Sequence, residues 1–223
     1  GAKYQILSQE EIIKKTAKEI FKGKAIGWFQ GRMEFGPRAL GSRSIIADPR
    51  NKKMQKNLNL KIKFRESFRP FAPSIIFEKV DDWFEYKDES PYMLMVANLN
   101  SSKILKKKKH KSWFGLNSIN DIRSKVPAIT HVDNSARIQT VHKETNPIFY
   151  KLIKEFDKIS KVPLIVNTSF NIRGEPIVCS PTDAFKCLMG TGLDFLVIEG
   201  CFIEKNKQNK NLIKDYRIDF ELD

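Results

Sequence analysis

Ten arginines stand against thirty lysines in this chain of 223 residues, and their placement is uneven. Arg32, Arg38, Arg43, Arg50, Arg65 and Arg69 share one stretch, while Arg123, Arg137, Arg173 and Arg217 are scattered beyond it. In a chain that uses lysine for most of its positive charge, arginine marks positions where the guanidinium itself is wanted. Its planar fork matches a phosphate or carboxylate bidentately, which an ammonium cannot do. A single arginine is more often a surface ion pair. The cluster between residues 32 and 69, completed by Arg137, instead predicts a grip on a small phosphorylated or carboxylate-like substrate together with a nucleotide.

Other chemistries lack their residues. There is no GxxxxGK[ST], so a nucleotide would not sit on a P-loop, and no HExxH or comparable metal-ligand spacing. No GxSxG supplies a nucleophile elbow. Cys179, Cys187 and Cys201 show neither CxxC spacing nor a nearby His pair, and are expected to be free thiols without a metal. His131 has the right unperturbed pKa for proton transfer but, alone in a predicted strand, reads as structural. Met93 and Met95 fit either an adenine pocket or core filling. Glu34 and Asp48 are expected to pair with neighbouring arginines.

The elements that would position these residues can be followed along the chain. Ser8 with Glu11 is a capping-box pattern ahead of Ile12, Ile13, Ala17, Ile20 and Phe21, predicting a helix that stops at Gly23. An apolar run over 25–29 predicts a buried strand feeding GWFQGRMEFGPRALGSRS, whose glycines allow tight turns and close approach to a ligand. A strand over 44–47 and a basic helix over 51–61, with Met54, Leu58 and Leu60 inward, follow. Pro70 and Pro73 make KFRESFRPFAPS an extended segment. Strands are predicted over 74–77 and 92–99, and over 128–133 and 136–141 about a turn at Asp133-Asn134. Asn146-Pro147 opens a helix with Ile148, Leu152, Ile153, Phe156 and Ile159 on its apolar stripe. The run 162–166 reads as a central strand that delivers NTSFN to its C-terminal end, where ligands collect in open α/β sheets. Ser180-Pro181 with Asp183 opens a helix ending at Gly190, and 193–198 is the last strong strand. Residues 206–223 form a polar tail, expected to be loosely held. Helices and strands alternate irregularly with hairpins, which predicts one α/β domain on a mixed sheet.

A net charge of +14 raises nucleic acid as a partner. Residues 100–125, with a lysine run at 106–109, read as a surface insertion. The alternative is a basic nucleic-acid-binding module without catalysis, in which those lysines meet phosphates while Trp113 and Phe114 stack on bases. A solvated loop is the preferred reading, so nucleic acid is not expected as a partner. No run is long and apolar enough for a bilayer span and the first twenty residues carry no secretory pattern, so a cytoplasmic protein without a membrane partner is expected. A start at Gly1-Ala2 rather than Met is expected of a segment excised from a longer protein.

Four blocks carry a resemblance: GWFQGRMEFGPRALGSRSIIADPR from Gly27, IKFRESFRPFAPS from Ile62, THVDNSARIQTV from Thr130 and VNTSFNIRGEPIVCSP from Val166. In order and over about residues 24–204, they resemble the C-terminal, YrdC-like domain of NodU/TobZ-type O-carbamoyltransferases. The resemblance implies a YrdC-like twisted mixed sheet packed with helices, over residues 1–205. It implies formation of carbamoyl-adenylate from carbamoyl phosphate and ATP, with Mg²⁺ arriving on ATP. A separate N-terminal domain, absent from this chain, would pass the carbamoyl group to a hydroxyl acceptor, with a homodimer through the full-length protein allowed for. Position by position, the resemblance makes Arg38, Lys63, Arg69 and Arg137 anion ligands, and Asn167 and Ser169 nucleotide or phosphate contacts. Lys63, Arg69 and Arg137 are expected to be catalytic, with Lys63 and Arg69 on the reacting phosphates. Arg38, Lys63, Arg69 and Arg137 should converge in one pocket, with Arg32, Arg43, Arg50 and Arg65 in support. Ser42, Ser67 and Asn134-Ser135 depart from the commoner family pattern without removing a proposed ligand.

Overall fold

A computed structural model describes residues 1–105, 122–213, 215, 216 and 220. Nine strands form one mixed sheet: β1 (Gln5–Ile6), β2 (Ile26–Phe29), β3 (Arg43–Ala47), β4 (Ala72–Ile76), β5 (Met95–Asn98), β6 (Ser135–Val141), β7 (Leu164–Ser169), β8 (Phe195–Ile198) and β9 (Cys201–Glu204). Their order is β1-β9-β8-β2-β3-β7-β4-β6-β5. The β2–β8 and β4–β6 pairs are parallel and the others antiparallel. The expected mixed sheet is therefore present, with β2, β3 and β7 at its centre and β4 beside them. Every residue of β3 and β4 is buried, as a doubly covered strand requires.

The longer helices are α1 (Gln9–Phe21), α4 (Pro147–Ser160) and α5 (Pro181–Gly190); α2 (Met54–Leu58) and α3 (Val80–Trp83) are short. Local chemistry sets their starts. Ser8 and Glu11 close the predicted capping box on α1, Asn146 caps α4 ahead of Pro147, and Ser180 with Asp183 closes a second box on α5. Helix α1 packs on α4, α4 on β4 and β7, and α5 on β2 and β8. Among the described residues no helix is long and apolar enough to cross a membrane.

The structure departs from expectation in four places. The helix predicted over 51–61 is α2 running directly into a π-helical turn, Asn59–Lys63. The wider turn shifts the phase of the buried face, so Leu60 is 46% exposed while Ile62 is 2% exposed. The strand predicted over 128–133 is a short 3₁₀ turn, Pro127–Ile129, followed by extended chain. The hairpin β8–β9 continues past the last predicted strand. The C-terminal segment is not loose throughout: the Gln208 side chain bonds both backbone groups of Lys3 at 2.8 Å, and Tyr216 is buried. The lysine run at 106–109 lies outside the described residues.

Candidate anion-binding site

Two cavities meet at the C-terminal end of β7. One, of about 440 Å³, is lined by Lys63, Arg65, Arg69, Ser169 and the loop of residues 171–176. The other, of about 330 Å³, is lined by Arg38, Arg65, Arg69, Met93, Arg137, Asn167 and Ser169 among others. Arg65, Arg69 and Ser169 belong to both. The predicted convergence is thus distributed: Arg38, Arg69 and Arg137 share one cavity with Asn167 and Ser169, while Lys63 lies in the other. Arg65, expected only to support the site, lines both. Among the described residues, Glu175 is the single carboxylate lining either cavity.

Side chains next to Arg65, Arg69 and Arg38 hold the loops that carry them. Arg65 and Arg69 sit on the loop after the π turn, which ends with Phe64 in the left-handed conformation at φ 48°. Asn59, fully buried on that turn, fixes the loop. Its Oδ1 accepts from Arg65 Nε at 2.8 Å, and its amide donates to the Ser67 and Arg69 carbonyls at 3.2 and 2.8 Å. The Arg65 guanidinium also lies over the Phe71 ring at 5.2 Å. Arg69 has an exposed ion pair with Glu66 at 3.0 Å.

The loop carrying Arg38 is held from two sides. Glu34 Oε1 accepts from the backbone N–H groups of Leu40 and Ser42, each at 2.7 Å. Glu34 therefore organises the turn rather than pairing with an arginine as expected, whereas Asp48 does pair with Arg50, at 2.7 Å. From the core, Asn167 and Gln139 donate to the consecutive carbonyls of Ala39 and Leu40 at 3.1 and 2.9 Å. Gly41, at φ 110°, lets this turn lie against Phe149, where a Cβ would come within 2.4 Å of the ring.

Electrostatics favour an anion between these groups. Burial lowers the Arg137 guanidinium pKa, the nearby Arg38 lowers it further, and Arg137 Nε is buried with no protein partner. Two guanidiniums sharing a wall without a carboxylate are stabilised when an anion enters. Arg43 and Arg50 have other work. Arg43 stacks on Phe29 and donates to the Gln30, Gly31 and Ser42 carbonyls, and Arg50 holds Asp48 while facing Phe21 and Phe156.

Lys63 is caged by protein. Its Nζ donates to the Ser169 carbonyl at 2.5 Å, Asn171 Oδ1 at 2.7 Å, the Asn171 carbonyl at 3.0 Å and Ser169 Oγ at 3.1 Å. Burial, with Arg65 as a smaller cause, lowers its pKa to about 7. The oxygens act in the opposite sense: an ammonium has three protons for these four acceptors and an amine only two, so the cage fits the charged form. Lys63 thereby fixes the chain after β7 while lining the larger cavity.

Asn167 is buried, with its nitrogen shared among Ala39, Ser74 and Gln139 and its Oδ1 unpartnered at the wall of the smaller cavity. Ser169 Oγ donates to Asn171 Oδ1 at 2.7 Å. His131 lines neither cavity and contacts Ser135 Oγ at 2.9 Å. Met93 lines the smaller cavity, whereas Met95 does not. The three cysteines are free, and among the described residues no group of His, Cys, Asp and Glu side chains could hold a metal ion.

A family model described as carbamoyltransferase C-terminus matches residues 17–205. The chain is 52% identical over 224 residues to the uncharacterized protein sll1178 of Synechocystis sp., covering 100% of this chain and 36% of that protein. It is 39% identical to nodulation protein NolO of Bradyrhizobium diazoefficiens, covering 90% of this chain and 34% of NolO. It is 34% identical to 3'-hydroxymethylcephem-O-carbamoyltransferase of Amycolatopsis lactamdurans, covering 79% of this chain and 30% of that enzyme. The chain thus spans about a third of the length of these relatives. Among solved structures, a variant of P. abyssi Sua5 aligns over 89% of this chain and 51% of its own, with a TM-score of 0.56 at 16% identity. Full-length HypF in its phosphate- and nucleotide-bound form aligns over 84% of this chain and 21% of its own, with a TM-score of 0.50 at 18% identity. These two likenesses show the expected YrdC-like architecture.

Proposed function

The chain belongs to the carbamoyltransferase C-terminus family, and we propose that it forms carbamoyl-adenylate from carbamoyl phosphate and ATP. The carbamoyl group would then pass to a hydroxyl acceptor on a separate N-terminal domain, which is the proposed partner. The observation that carries this reading is the pair of adjoining cavities sharing Arg65, Arg69 and Ser169. Two polyanions must be brought together against mutual repulsion, and cations common to both sites lower that barrier most where the two meet.

In the first step water displaces phosphate from carbamoyl phosphate, leaving carbamate and inorganic phosphate. A carbamate oxygen then attacks the α-phosphorus of ATP, the bond to the β-phosphate oxygen breaks, and pyrophosphate leaves. Arg38, Arg69 and Arg137 neutralise phosphate charge, and Arg65 spans the two cavities. Lys63 acts as an internal brace that keeps Ser169 and Asn171 in place and adds buried positive charge. Carbamate decomposes in water, so the shared wall must close around it. With Glu175 as the single lining carboxylate among the described residues, Mg²⁺ would be held mainly by the phosphates of ATP, supplying charge neutralisation there.

Exchange of ³²P between pyrophosphate and ATP tests the reading, because it requires reversal of the adenylation step. Exchange dependent on carbamoyl phosphate is expected. A folded protein whose exchange does not respond to carbamoyl phosphate would refute it.

A further inference from the structure

The C-terminal segment reaches the larger cavity from behind. Tyr216 is 8% exposed, and its ring meets that of Phe220 edge-on at 5.8 Å. Its hydroxyl donates to Glu175 Oε2 at 3.1 Å. The same carboxylate oxygen accepts from the Ile172 N–H at 2.8 Å, closing the loop that walls the cavity. The Glu175 carbonyl accepts from the Asn171 amide at 2.6 Å, and Asn171 in turn holds Lys63. One hydrogen-bonded path therefore runs from Tyr216 through Glu175 and Asn171 to the Lys63 cage. Tyr216 lies outside residues 17–205, which carry the family match.

A buried tyrosine needs a partner for its hydroxyl. Here the partner is, among the described residues, the single carboxylate lining either cavity, a group that would repel an incoming phosphate if its charge were left unopposed. Two donors on Oε2 draw that charge toward the protein and fix the loop's shape. Burial raises the Glu175 pKa, while the Ile172 and Tyr216 donors and the Lys63 charge oppose the rise. The Cys187 thiol of α5 is a further neighbour of the hydroxyl.

We propose that Tyr216 is a positioning residue for the larger cavity, its hydroxyl holding Glu175 and the 171–176 loop in the arrangement that receives a phosphate group. This rests on reading the cavity as a phosphate site. Calorimetric titration of the protein at its full natural length with inorganic phosphate tests it. Tyr216→Phe, which keeps the ring, is expected to unfold near the wild-type temperature yet bind phosphate about tenfold more weakly. In exchange kinetics it should raise the KM for whichever of carbamoyl phosphate and ATP places its phosphate in this cavity, while kcat changes by less than about twofold. Gln208→Ala loosens the same segment at Lys3, away from the cavity, and should bind phosphate as wild type does. Should Tyr216→Phe fail to fold, Tyr216→Met, also without a hydroxyl, takes its place with the same expectation.

Unchanged phosphate binding in the hydroxyl-free variant would overturn the proposal. So would an equal loss in Gln208→Ala, since docking of the segment rather than the hydroxyl would then be responsible. Tenfold weaker phosphate binding in a protein that shows no carbamoyl-phosphate-dependent exchange would end the adenylate reading and support this one.

Discussion

Asn167 on β7 and Gln139 on β6 meet across the intervening strand β4, amide nitrogen to Oε1 at 3.0 Å, and hold neighbouring carbonyls of the loop that carries Arg38. Ser74 of β4 completes the cluster, donating to Gln139 Oε1 at 2.5 Å. The sheet core thus aims an exposed arginine through two amides. Gln139→Leu should take the side-chain donor from the Leu40 carbonyl and the acceptor from the Ser74 hydroxyl, at a cost of about 1–3 kcal/mol each. Denaturant unfolding would show that loss. Exchange activity should fall further than stability explains, with the larger effect on KM as Arg38 loses its aim.

The arginines should separate into two classes. Arg69 is half-exposed and its ion pair with Glu66 is at the surface, so Arg69→Ala should cost less than about 1 kcal/mol of stability. As a guanidinium lining both cavities, it should nevertheless lower kcat/KM for exchange by about a hundredfold or more. Arg50→Ala should do the reverse, because it strips the buried Asp48 carboxylate of its partner and costs about 3 kcal/mol while leaving exchange per folded molecule unchanged. Unfolding curves and exchange rates on both variants check the contrast.

Lys63 is expected to matter to both properties. Lys63→Met would fill similar space but take the ammonium away from the Ser169 carbonyl and Asn171 Oδ1 and leave the Asn171 carbonyl facing no donor. The loss should reach about 3 kcal/mol or more, read from denaturant midpoints. Any folded fraction should lack exchange activity, because Ser169 and Asn171 shape the wall between the cavities. Full activity in folded Lys63→Met would refute the brace.

Much of this organisation was legible in the sequence where the signal is local. Ser8 with Glu11, Asn146-Pro147 and Ser180 with Asp183 mark helix starts because capping couples residues three apart. The excess of lysine over arginine exposed the cluster, of which Arg38, Arg65 and Arg69 line the cavities. What escaped was geometry without a periodic trace. The π turn moves burial from Leu60 to Ile62, a phase slip that no regular helical period encodes. Glu34 serves backbone N–H groups, whose directions depend on a turn rather than on residue type. Asn59 and Gln139 are ordinary amides until the fold places carbonyls beside them. Tyr216 is one of two aromatic residues in a polar segment, too little for any pattern to reveal that it docks.

Glu175 gives the last prediction, in the pH dependence of stability. Burial raises its carboxyl pKa above the ordinary value of 4.5. Between that value and the raised one, the folded protein binds a proton that the unfolded chain has released, so stability falls as pH rises through the window. The contribution is fully present below 4.5 and is lost above the folded-state pKa. The groups facing it are Lys63 from the π turn, the Ile172 N–H, Asp183 from α5 and Tyr216 from the C-terminal segment; Lys63, Ile172 and Tyr216 favour the ionised form and Asp183 opposes it. Glu175→Gln cannot titrate, so the difference between its stability and that of wild type, measured by denaturant unfolding from pH 4 to pH 7, isolates this one carboxyl. Wild type should lose stability relative to the variant as pH rises. In Tyr216→Phe the window should extend to higher pH, because a donor to the charged form is gone. An identical pH dependence in wild type and Glu175→Gln would show that the carboxyl does not carry the burial penalty assigned to it.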